Sequence, residues 1–208
     1  VLLRYIPLTA DRVTGIVSAQ DNTRRTQYLL EPELITNLSD RKREKRRLVN
    51  FEDIPPVLVN AVISVEDKRF FQHSGFDPMR IAKAAYVDLR EGYKKEGAST
   101  LSMQLARGFW LNQSKSWRRK AAEVLITMQL EQRLTKKEIF EYYSNNVDLG
   151  RRGSFAIAGF GQAAQAYFGK DIRQIDLPEA AMLAGLIQLP SYYNPFRHPE
   201  RMKERRNV

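Results

Sequence analysis

The sequence predicts a mainly α-helical domain that follows a short extended arm. From Ile54 onward, apolar residues recur at helical spacing, and helix-capping residues mark several starts. Residues 1–50 are instead rich in Thr, Val, Ile and Tyr at their start and carry turn signals such as Asp21-Asn22, a pattern typical of short strands. We therefore divide the chain into an arm or linker with short strands over residues 1–50 and one domain over residues 51–208.

Start and stop signals place the first three helices of the domain. Pro55-Pro56 starts the first helix, because the missing N–H of proline costs nothing in a first turn. Asp77-Pro78 supplies an N-cap and a first helical residue for the second, which closes near Glu91-Gly92. Ser99 is expected to cap the third helix, which runs to about Leu111.

The next two helices are also predicted from their first residues. A long helix is expected from Ser114 or Ser116 to Leu134. Thr135, with Glu138 three residues later, forms a capping box, in which each residue satisfies a free backbone N–H of the other, and this pair starts the next helix.

The last part of the chain is expected to be helical as well. Small residues from Gly153 to Phe168 predict a closely packed helix. Asp176 with Glu179 forms a second box-like start, which is followed by an apolar run that Pro190 stops. No internal repeat and no alternation of strands with helices is visible in the sequence.

Composition and charge restrict the partners of the protein. The net charge is +10 and the pI is near 9.9, which favours an anionic partner such as a phosphate-bearing substrate, an acidic membrane surface or a nucleic acid. The densest basic run, Arg41 to Arg47, suits a solvated loop or a membrane contact, and no motif that reads bases accompanies it, so we expect no nucleic acid partner.

Cysteine is absent, which excludes disulfides and thiolate chemistry. The chain starts at Val1 without Met and stops at Val208 with no terminator signal, so we expect a piece of a longer protein. Its apolar runs are far shorter than the roughly 20 residues that a spanning helix needs.

The segment from Glu66 to Gly75 places two adjacent carboxylates directly after the apolar run Val57–Val65. A carboxylate at the end of an apolar helix is costly to bury and easily placed at the edge of a cleft, where a catalytic base belongs. Glu66 is therefore a candidate base. The alternative is a solvated helix end with an ordinary charge pair.

A second segment, Gly97 to Arg107, carries a hydroxyl, an amide and a guanidinium at helical spacing. Thr100, Gln104 and Arg107 fall on one helix face and form a donor-rich strip suited to sugar and phosphate oxygens. The alternative is an amphipathic helix with a polar outer face.

Arg119, Lys120 and Glu123 form a third group, whose side chains share one helix face. The cations precede the acid, which is the poorer orientation for stabilising a helix, and this favours a functional role over a simple surface ion pair.

In a fourth segment, Lys136 to Asn145, Glu141 and Asn145 share a face with Lys137. Here the alternative is strong, because these side chains could simply hold two helices together.

These four segments, in this order, resemble the peptidoglycan glycosyltransferase domain of class A penicillin-binding proteins and of monofunctional cell-wall transglycosylases. Met103 and Gly108 depart from the family's second motif, where glutamine and asparagine are usual, and Asp148 takes a place often held by an aromatic residue. The matching segments are Glu66–Gly75, Gly97–Gln104, Arg119–Glu123, Lys136–Asn145, Ala166–Lys170, Tyr193–Pro195 and Glu204–Asn207.

The resemblance implies an enzyme that polymerises lipid II by inverting transfer from a lipid-diphosphate donor to a sugar 4-hydroxyl. Glu66 is then the base, because a sugar hydroxyl is a poor nucleophile near neutral pH. Glu123 is the second catalytic acid, and it orients cations or holds a divalent metal ion, Mg or Mn, at the diphosphate. No cofactor is expected to be obligatory. The other side chains expected to bind substrate are Asp67, Phe70, His73, Ser99, Thr100, Gln104, Arg107, Arg119, Lys120, Lys136, Glu141, Tyr143 and Asn145.

The same resemblance implies a lysozyme-like, two-lobed fold with a large head lobe and a smaller membrane-facing lobe at roughly 77–117. Phe109, Trp110, Leu111 and Trp117 lie beside cations there, and such a mixture suits a membrane interface. The alternative is that these apolar side chains form a buried core cluster. Lipid II, the growing lipid-linked glycan and the membrane surface are the expected partners. We further expect a following transpeptidase domain and a transmembrane anchor, which together place the protein on the extracytoplasmic, periplasmic face of the bacterial inner membrane.

Two rival functions stay open from the sequence. A lysozyme-like lytic or hydrolytic glycosidase would use one glutamic acid as a general acid and has little need for the cations. A non-catalytic, membrane-docking scaffold would have no need for Glu66 and Glu123.

Overall fold

The computed structural model describes residues 3–5, 8–9, 12–13, 16–18, 23–25, 44–45, 47–91, 98–110, 117–153 and 155–208. The chain divides into two compact units, Val1–Leu38 and Ser39–Val208. The strands are β1 (Leu3–Tyr5), β2 (Leu8–Thr9), β3 (Arg12–Val13), β4 (Ile16–Ser18), β5 (Arg24–Arg25), β6 (Glu44–Lys45), β7 (Asp148–Arg152) and β8 (Phe155–Ala158). The helices are α1 (Pro56–Glu66), α2 (Pro78–Glu91), α3 (Leu101–Trp110), α4 (Trp117–Arg133), α5 (Lys136–Asn146), α6 (Phe160–Phe168), α7 (Leu177–Leu186) and α8 (Pro199–Arg206).

The first unit contains the short strands that the sequence predicts for the start of the chain. β1, β4 and β5 form an antiparallel sheet in the order β1-β4-β5, and β2 pairs with β3 as a separate antiparallel pair. The predicted extended character of this region is thus confirmed for the strands described.

The second unit is mainly helical, as predicted. α1 packs on α7, α3 packs on α4 and α5, and α7 also packs on α8. The apolar faces of these helices meet in one core, which excludes water from the largest side chains. Its fully buried members include Leu58, Val62, Phe70, Leu101, Ile139, Phe140, Leu149, Phe160, Leu183 and Leu186.

Most helix starts match their sequence signals. Thr135 accepts a hydrogen bond from the Glu138 backbone while Glu138 bonds back, so the predicted capping box is confirmed. The Asp176–Glu179 box at the start of α7 is confirmed in the same way. α1 begins at Pro56, as expected for a first helical proline.

Two expected features of the helices are wrong or differ in detail. Residues 155–158 form β8 rather than part of a helix, and α6 begins only at Phe160. A hairpin forms here because Gly153, in the turn, has a φ of 59°, which glycine adopts easily. Gly159 follows β8 with a φ of 81°. A Cβ at Gly159 would lie 2.9 Å from the carbonyl oxygen of Asn145, so this position also favours glycine. At α3, the side-chain cap is Thr100 and not Ser99, because the Thr100 hydroxyl accepts from the Met103 N–H.

The small sheet of the second unit has the order β6-β8-β7. β7 and β8 are antiparallel, whereas β6 pairs with β8 in parallel. The predicted arm over residues 1–50 thus contributes β6 to the second unit. Ser114, Ser116 and Leu111 lie outside the described residues, and only the backbone is described for Phe109, Trp110 and Trp117. Within the described part of the chain, every helix is too short or too polar to cross a membrane.

Candidate active site

Glu66 is the last residue of α1 and lies half-buried in the wall of a cavity of about 320 Å³. Its Oε2 accepts a hydrogen bond of 2.8 Å from Nε2 of Gln104 on α3. Its backbone carbonyl accepts another from the guanidinium of Arg80 on α2. A carboxylate held at a cavity wall by an amide donor is placed to take a proton from a bound hydroxyl. The other lining residues are Val65, Arg107, Ile187, Gln188 and Arg205.

The carboxylate of Asp67 positions Glu66 and Gln104 so that their side chains form a hydrogen bond. Its carboxylate is fully buried and accepts a 3.0 Å hydrogen bond from the backbone N–H of Leu101, the first residue of α3. An acid at a helix N-terminus satisfies a free donor and complements the helix dipole. The end of α1 is thereby fixed to the start of α3, and Gln104 follows one turn later.

His73 and Phe70 support the same junction from inside. Nε2 of His73 lies 3.0 Å from both carboxylate oxygens of Asp67, and the imidazole is only 6% exposed. Phe70 is fully buried, and the ammonium of Lys136 lies 4.6 Å above its ring. Substrate contact by Asp67, His73 or Phe70 stays a prediction, since their described contacts lie within the protein.

Asp77 fixes the start of α2 and with it the position of Arg80. It accepts a hydrogen bond from the Arg80 backbone N–H and two from the Arg69 guanidinium. Burial alone would raise the pKa of Asp77, but these hydrogen bonds, with the charges of Arg69 and His73, lower it below its ordinary value of 3.8. The ionised carboxylate thus holds the turn from which Arg80 reaches Glu66.

The predicted donor strip on α3 is formed by only two of its three members. Gln104 and Arg107 both line the cavity of Glu66. Thr100 is fully buried, and its hydroxyl donates to the Gly75 carbonyl at 2.6 Å. Ser99 is half-buried beside it. Substrate binding by Thr100 and Ser99 stays a prediction.

A second cavity of about 290 Å³ adjoins the first. Gln104, Arg107 and Ile187 line both, so the two cavities share a wall. Tyr143 on α5 also lines the second cavity, and its hydroxyl lies 3.4 Å from Oε1 of Gln104. Burial, followed by the charge of Glu66, raises the pKa of the Tyr143 phenol well above its ordinary value although Arg107 opposes this.

The predicted second acid, Glu123, lies in a different setting. It is fully buried on α4, where its Oε2 accepts from Arg119 at 2.9 Å and its Oε1 accepts from Lys120 at 2.6 Å. The predicted shared face of these three residues is therefore confirmed. Glu123 lines neither of the two cavities, so the structure does not join it with Glu66 in one of them.

The remaining predicted residues bind other parts of the protein. Lys136 forms a 2.7 Å ion pair with Glu131. Glu141 accepts from the backbone N–H of Phe51 at 2.8 Å. Asn145 both donates to the Val49 carbonyl and accepts from the Val49 N–H. These contacts match the alternative that this segment holds elements together, and substrate binding by Lys136, Glu141 and Asn145 stays a prediction.

Sequence reasoning missed three polar residues that line the cavity of Glu66, namely Arg80, Gln188 and Arg205. Arg80 had a local signal, since it follows the helix-starting Asp77 by three residues. Gln188 and Arg205 are far from Glu66 in sequence and reach it through the packing of α7 on α1 and of α8 on α7. No local pattern predicts such a meeting.

Comparisons with known proteins agree with this arrangement. The sequence model of the transglycosylase family matches residues 31–208. Penicillin-binding protein 1A of Vibrio cholerae is 46% identical over 166 residues, which is 79% of this chain and 20% of that protein. Penicillin-binding protein 1A of Escherichia coli is 41% identical over 100% of this chain and 24% of its own length. Penicillin-binding protein 1B of Vibrio cholerae is 37% identical over 99% of this chain and 27% of its own length.

The chain thus spans between 20% and 27% of the length of these relatives. The family match includes every residue of the Glu66 cavity and the buried Glu123 group. The chain belongs to the transglycosylase family, as a glycosyltransferase domain of the class A penicillin-binding protein type.

Proposed function

We propose that this domain polymerises lipid II into β-1,4 glycan strands of peptidoglycan, by inverting transfer from a lipid-diphosphate donor to the 4-hydroxyl of lipid II. The observation that carries the proposal is the hydrogen bond from Gln104 to Glu66 at the wall of a cavity that three arginines also line. This pairs a base for the hydroxyl with positive charge for a phosphate leaving group.

Glu66 acts as the general base. The acceptor hydroxyl loses its proton as the new glycosidic bond forms, and Glu66 takes that proton through the carboxylate oxygen facing the cavity. Gln104 binds Oε2, which limits rotation of the carboxylate and keeps it aimed at one site. A base held in this way needs less reorganisation in the transition state.

Arg80, Arg107 and Arg205 stabilise the departing diphosphate. Such a leaving group needs charge neutralisation more than a proton. Neither Arg107 nor Arg205 has a carboxylate partner in the part of the chain that the structure describes, which leaves both guanidinium groups ready for an anionic ligand. A lytic glycosidase would gain little from three cations, because its leaving group is a neutral sugar.

Glu123 supports the reaction indirectly, by holding Arg119 and Lys120 in place. Removing one partner of a buried ion pair leaves an uncompensated charge, so these three residues act as one unit. A divalent cation does not fit at Glu123, because both carboxylate oxygens already accept from cations. Among the described residues, no group of three or more acidic or histidine side chains could hold a metal ion.

The membrane is the proposed setting of the reaction. We propose a lysozyme-like, two-lobed domain in which the smaller lobe, roughly 77–117, faces the lipid surface from which lipid II is drawn. Exposed apolar side chains on α2, namely Met79, Tyr86 and Leu89, support this orientation. We also propose that the parent protein is anchored in the bacterial inner membrane, with this domain on the periplasmic face and a transpeptidase domain after it, as the greater length of the relatives suggests.

The test is polymerisation of purified lipid II by the 208-residue chain in detergent. Wild type is expected to make glycan polymer that a moenomycin-type inhibitor blocks. Glu66→Gln is expected to slow polymerisation by about 10²–10⁴-fold, because it removes the base. The control is Glu52→Gln, at an exposed acid outside the cavity, which keeps the wild-type rate.

Two results would contradict the proposal. Near wild-type polymerisation by Glu66→Gln, with an unchanged unfolding curve, would show that Glu66 is not the base. Fragments released from finished glycan strands, with no polymer formed from lipid II, would favour the lytic enzyme. A chain that does neither would be the non-catalytic scaffold.

A further inference from the structure

The phenol of Tyr143 has one described hydrogen-bond partner, and that partner is the residue that holds Glu66. Tyr143 is 4% exposed on α5. Within the described residues, its hydroxyl contacts only Oε1 of Gln104, at 3.4 Å. A buried phenol usually keeps its hydroxyl paired, so this contact fixes both side chains.

The chemistry of an amide makes this contact directional. Gln104 has an acceptor end, Oε1, and a donor end, Nε2. Nε2 faces Glu66 at 2.8 Å, and Oε1 faces Tyr143. If the amide rotated by half a turn, its oxygen would face the carboxylate, and two acceptors would oppose each other. A donor at the Tyr143 position prevents this rotation.

Tyr143 is suited to act only as a donor here. Burial raises its pKa well above the ordinary value, and the charge of Glu66 raises it further, while Arg107 lowers it. The hydroxyl therefore keeps its proton across the range in which Glu66 works as a base.

We infer that Tyr143 is a positioning residue, whose hydroxyl fixes the amide of Gln104 so that its N–H₂ end holds the Glu66 carboxylate. The relay runs from α5 through α3 to the end of α1. The inference rests on the proposed function only in so far as Glu66 is the base. The relay of hydrogen bonds from Tyr143 through Gln104 to Glu66 does not depend on that function.

The other charged groups near Glu66 do not replace this relay. Arg80 on α2, Arg107 on α3 and Arg205 on α8 line the same cavity, and Asp67 follows Glu66 directly. The three arginines keep their charge throughout the relevant pH range. Asp67 is engaged by Leu101 and His73. A change at Tyr143 alters none of these charges.

The first test measures the carboxyl group directly, without turnover. The probe is the ¹³C resonance of the Glu66 side-chain carboxyl in glutamate-labelled, full-length chain, assigned by its loss in Glu66→Gln. In Tyr143→Phe at neutral pH, this resonance is expected to move and broaden, because the hydrogen bond from Gln104 to the carboxylate becomes intermittent. The matched control is Tyr142→Phe, at an exposed neighbouring tyrosine, which leaves the resonance unchanged.

A double-mutant cycle separates the relay from general disturbance of the core. Gln104→Met removes the amide with little change in volume, so the Glu66 carboxyl resonance is expected to move at least as far as in Tyr143→Phe. In this background, Tyr143→Phe is expected to add no further shift. An equal change of the resonance in both backgrounds would overturn the relay, as would an unchanged resonance in Tyr143→Phe.

The second test asks whether the relay serves the reaction. In lipid II polymerisation, Tyr143→Phe is expected to lower kcat with KM unchanged. A changed Glu66 carbon resonance in Tyr143→Phe, combined with no polymer from wild type, would support the relay and contradict the proposed function. A raised KM with an unchanged kcat would instead make Tyr143 a substrate contact and overturn the inference.

Discussion

Arg205 and Glu123 show two opposite ways in which charge is held in this protein. Glu123 is fully buried and bonded to two cations, so its charge is neutralised from within. Arg205 stacks on the Tyr193 ring at 5.8 Å, and its buried Nε has no hydrogen-bond partner among the residues described. A buried donor without an acceptor is costly, and an anionic ligand would satisfy it.

The first prediction concerns this arginine. Arg205→Ala is expected to lower the kcat/KM of lipid II polymerisation by about ten- to a hundredfold, because one cation of the diphosphate site is lost. The measurement is the initial rate of polymer formation at several lipid II concentrations.

A matched control follows Arg205 in the same helix. Arg206 is exposed, and its guanidinium bonds to the neighbouring Asn207. Arg206→Ala is expected to keep the wild-type rate. Equal losses in both variants would indicate an effect of net charge rather than a site for the leaving group.

At the residue scale, side-chain contacts were predictable from the sequence where both partners lie in one helical motif. The Arg119–Glu123 and Lys120–Glu123 pairs follow from helical spacing alone. The contact of Gln104 with Glu66 joins residues 38 positions apart. The spacing of residues along one helix cannot predict such a contact. The same holds for Arg205, which reaches the cavity only after α7 and α8 have packed.

Among the elements, the junction of α1, α2 and α3 determines the site geometry. Asp67 fixes the start of α3, and Asp77 fixes the start of α2. Gly75 lies between them with a φ of 89°, so close to α4 that a Cβ there would lie 3.0 Å from a methyl of Thr127. The loop between the two acids is thus constrained on three sides.

The second prediction tests the pH dependence of this junction. Because the pKa of Asp77 is lowered in the folded protein, its contribution to stability is present above its ordinary value of 3.8 and is lost as the pH falls through the lower folded value. Asp77→Asn is therefore expected to lower the free energy of unfolding by about 1–2 kcal/mol at neutral pH. The difference from wild type is expected to shrink below about pH 4.

Urea unfolding followed by circular dichroism at several pH values measures this difference. Glu200→Gln is the control, at an exposed acid in the first turn of α8 whose carboxylate has no described hydrogen-bond partner. It is expected to change stability little at any pH. A constant difference between Asp77→Asn and wild type down to the acid transition would contradict the prediction.

Elements were predictable where a capping signal was present. The two capping boxes and the first-turn prolines marked α5, α7, α1 and α2 correctly. The β7–β8 hairpin was missed because its strands are short and its small residues also suit a helix. Its pairing depends on glycine conformations and on β6, which lies about a hundred residues earlier.

For the whole molecule, the excess of positive charge and the exposed apolar side chains both favour binding to an anionic lipid surface. The chain carries a net charge of +10. Met79, Tyr86 and Leu89 are at least 64% exposed on α2. Apolar contact and attraction to anionic lipid add to each other at an interface.

The third prediction is therefore binding to lipid vesicles. The chain is expected to co-sediment with vesicles that contain anionic lipid, more than with purely zwitterionic vesicles, and raising NaCl from about 0.05 M to about 0.5 M is expected to weaken this binding. Leu89→Glu is expected to reduce binding further, because it removes apolar contact and adds repulsion.

The control for this variant is Leu177→Glu, at another exposed leucine, which lies on α7 and is 65% exposed, against 85% for Leu89. It carries the same charge change and is expected to bind more strongly than Leu89→Glu. Equal binding by the two variants would show that net charge alone causes the interaction. Binding that changes neither with the NaCl concentration nor with the content of anionic lipid would contradict the prediction.

The clamp between α5 and residues 49–51 has a mechanical consequence. Asn145 holds both backbone polar groups of Val49, and Glu141 holds the N–H of Phe51. Tension applied to the chain ahead of Val49 would first load the pairing of β6 with β8 and would then reach α5 through these side chains. Since α5 also carries Tyr143, a pull strong enough to open that strand pair would act on the helix whose tyrosine contacts Gln104.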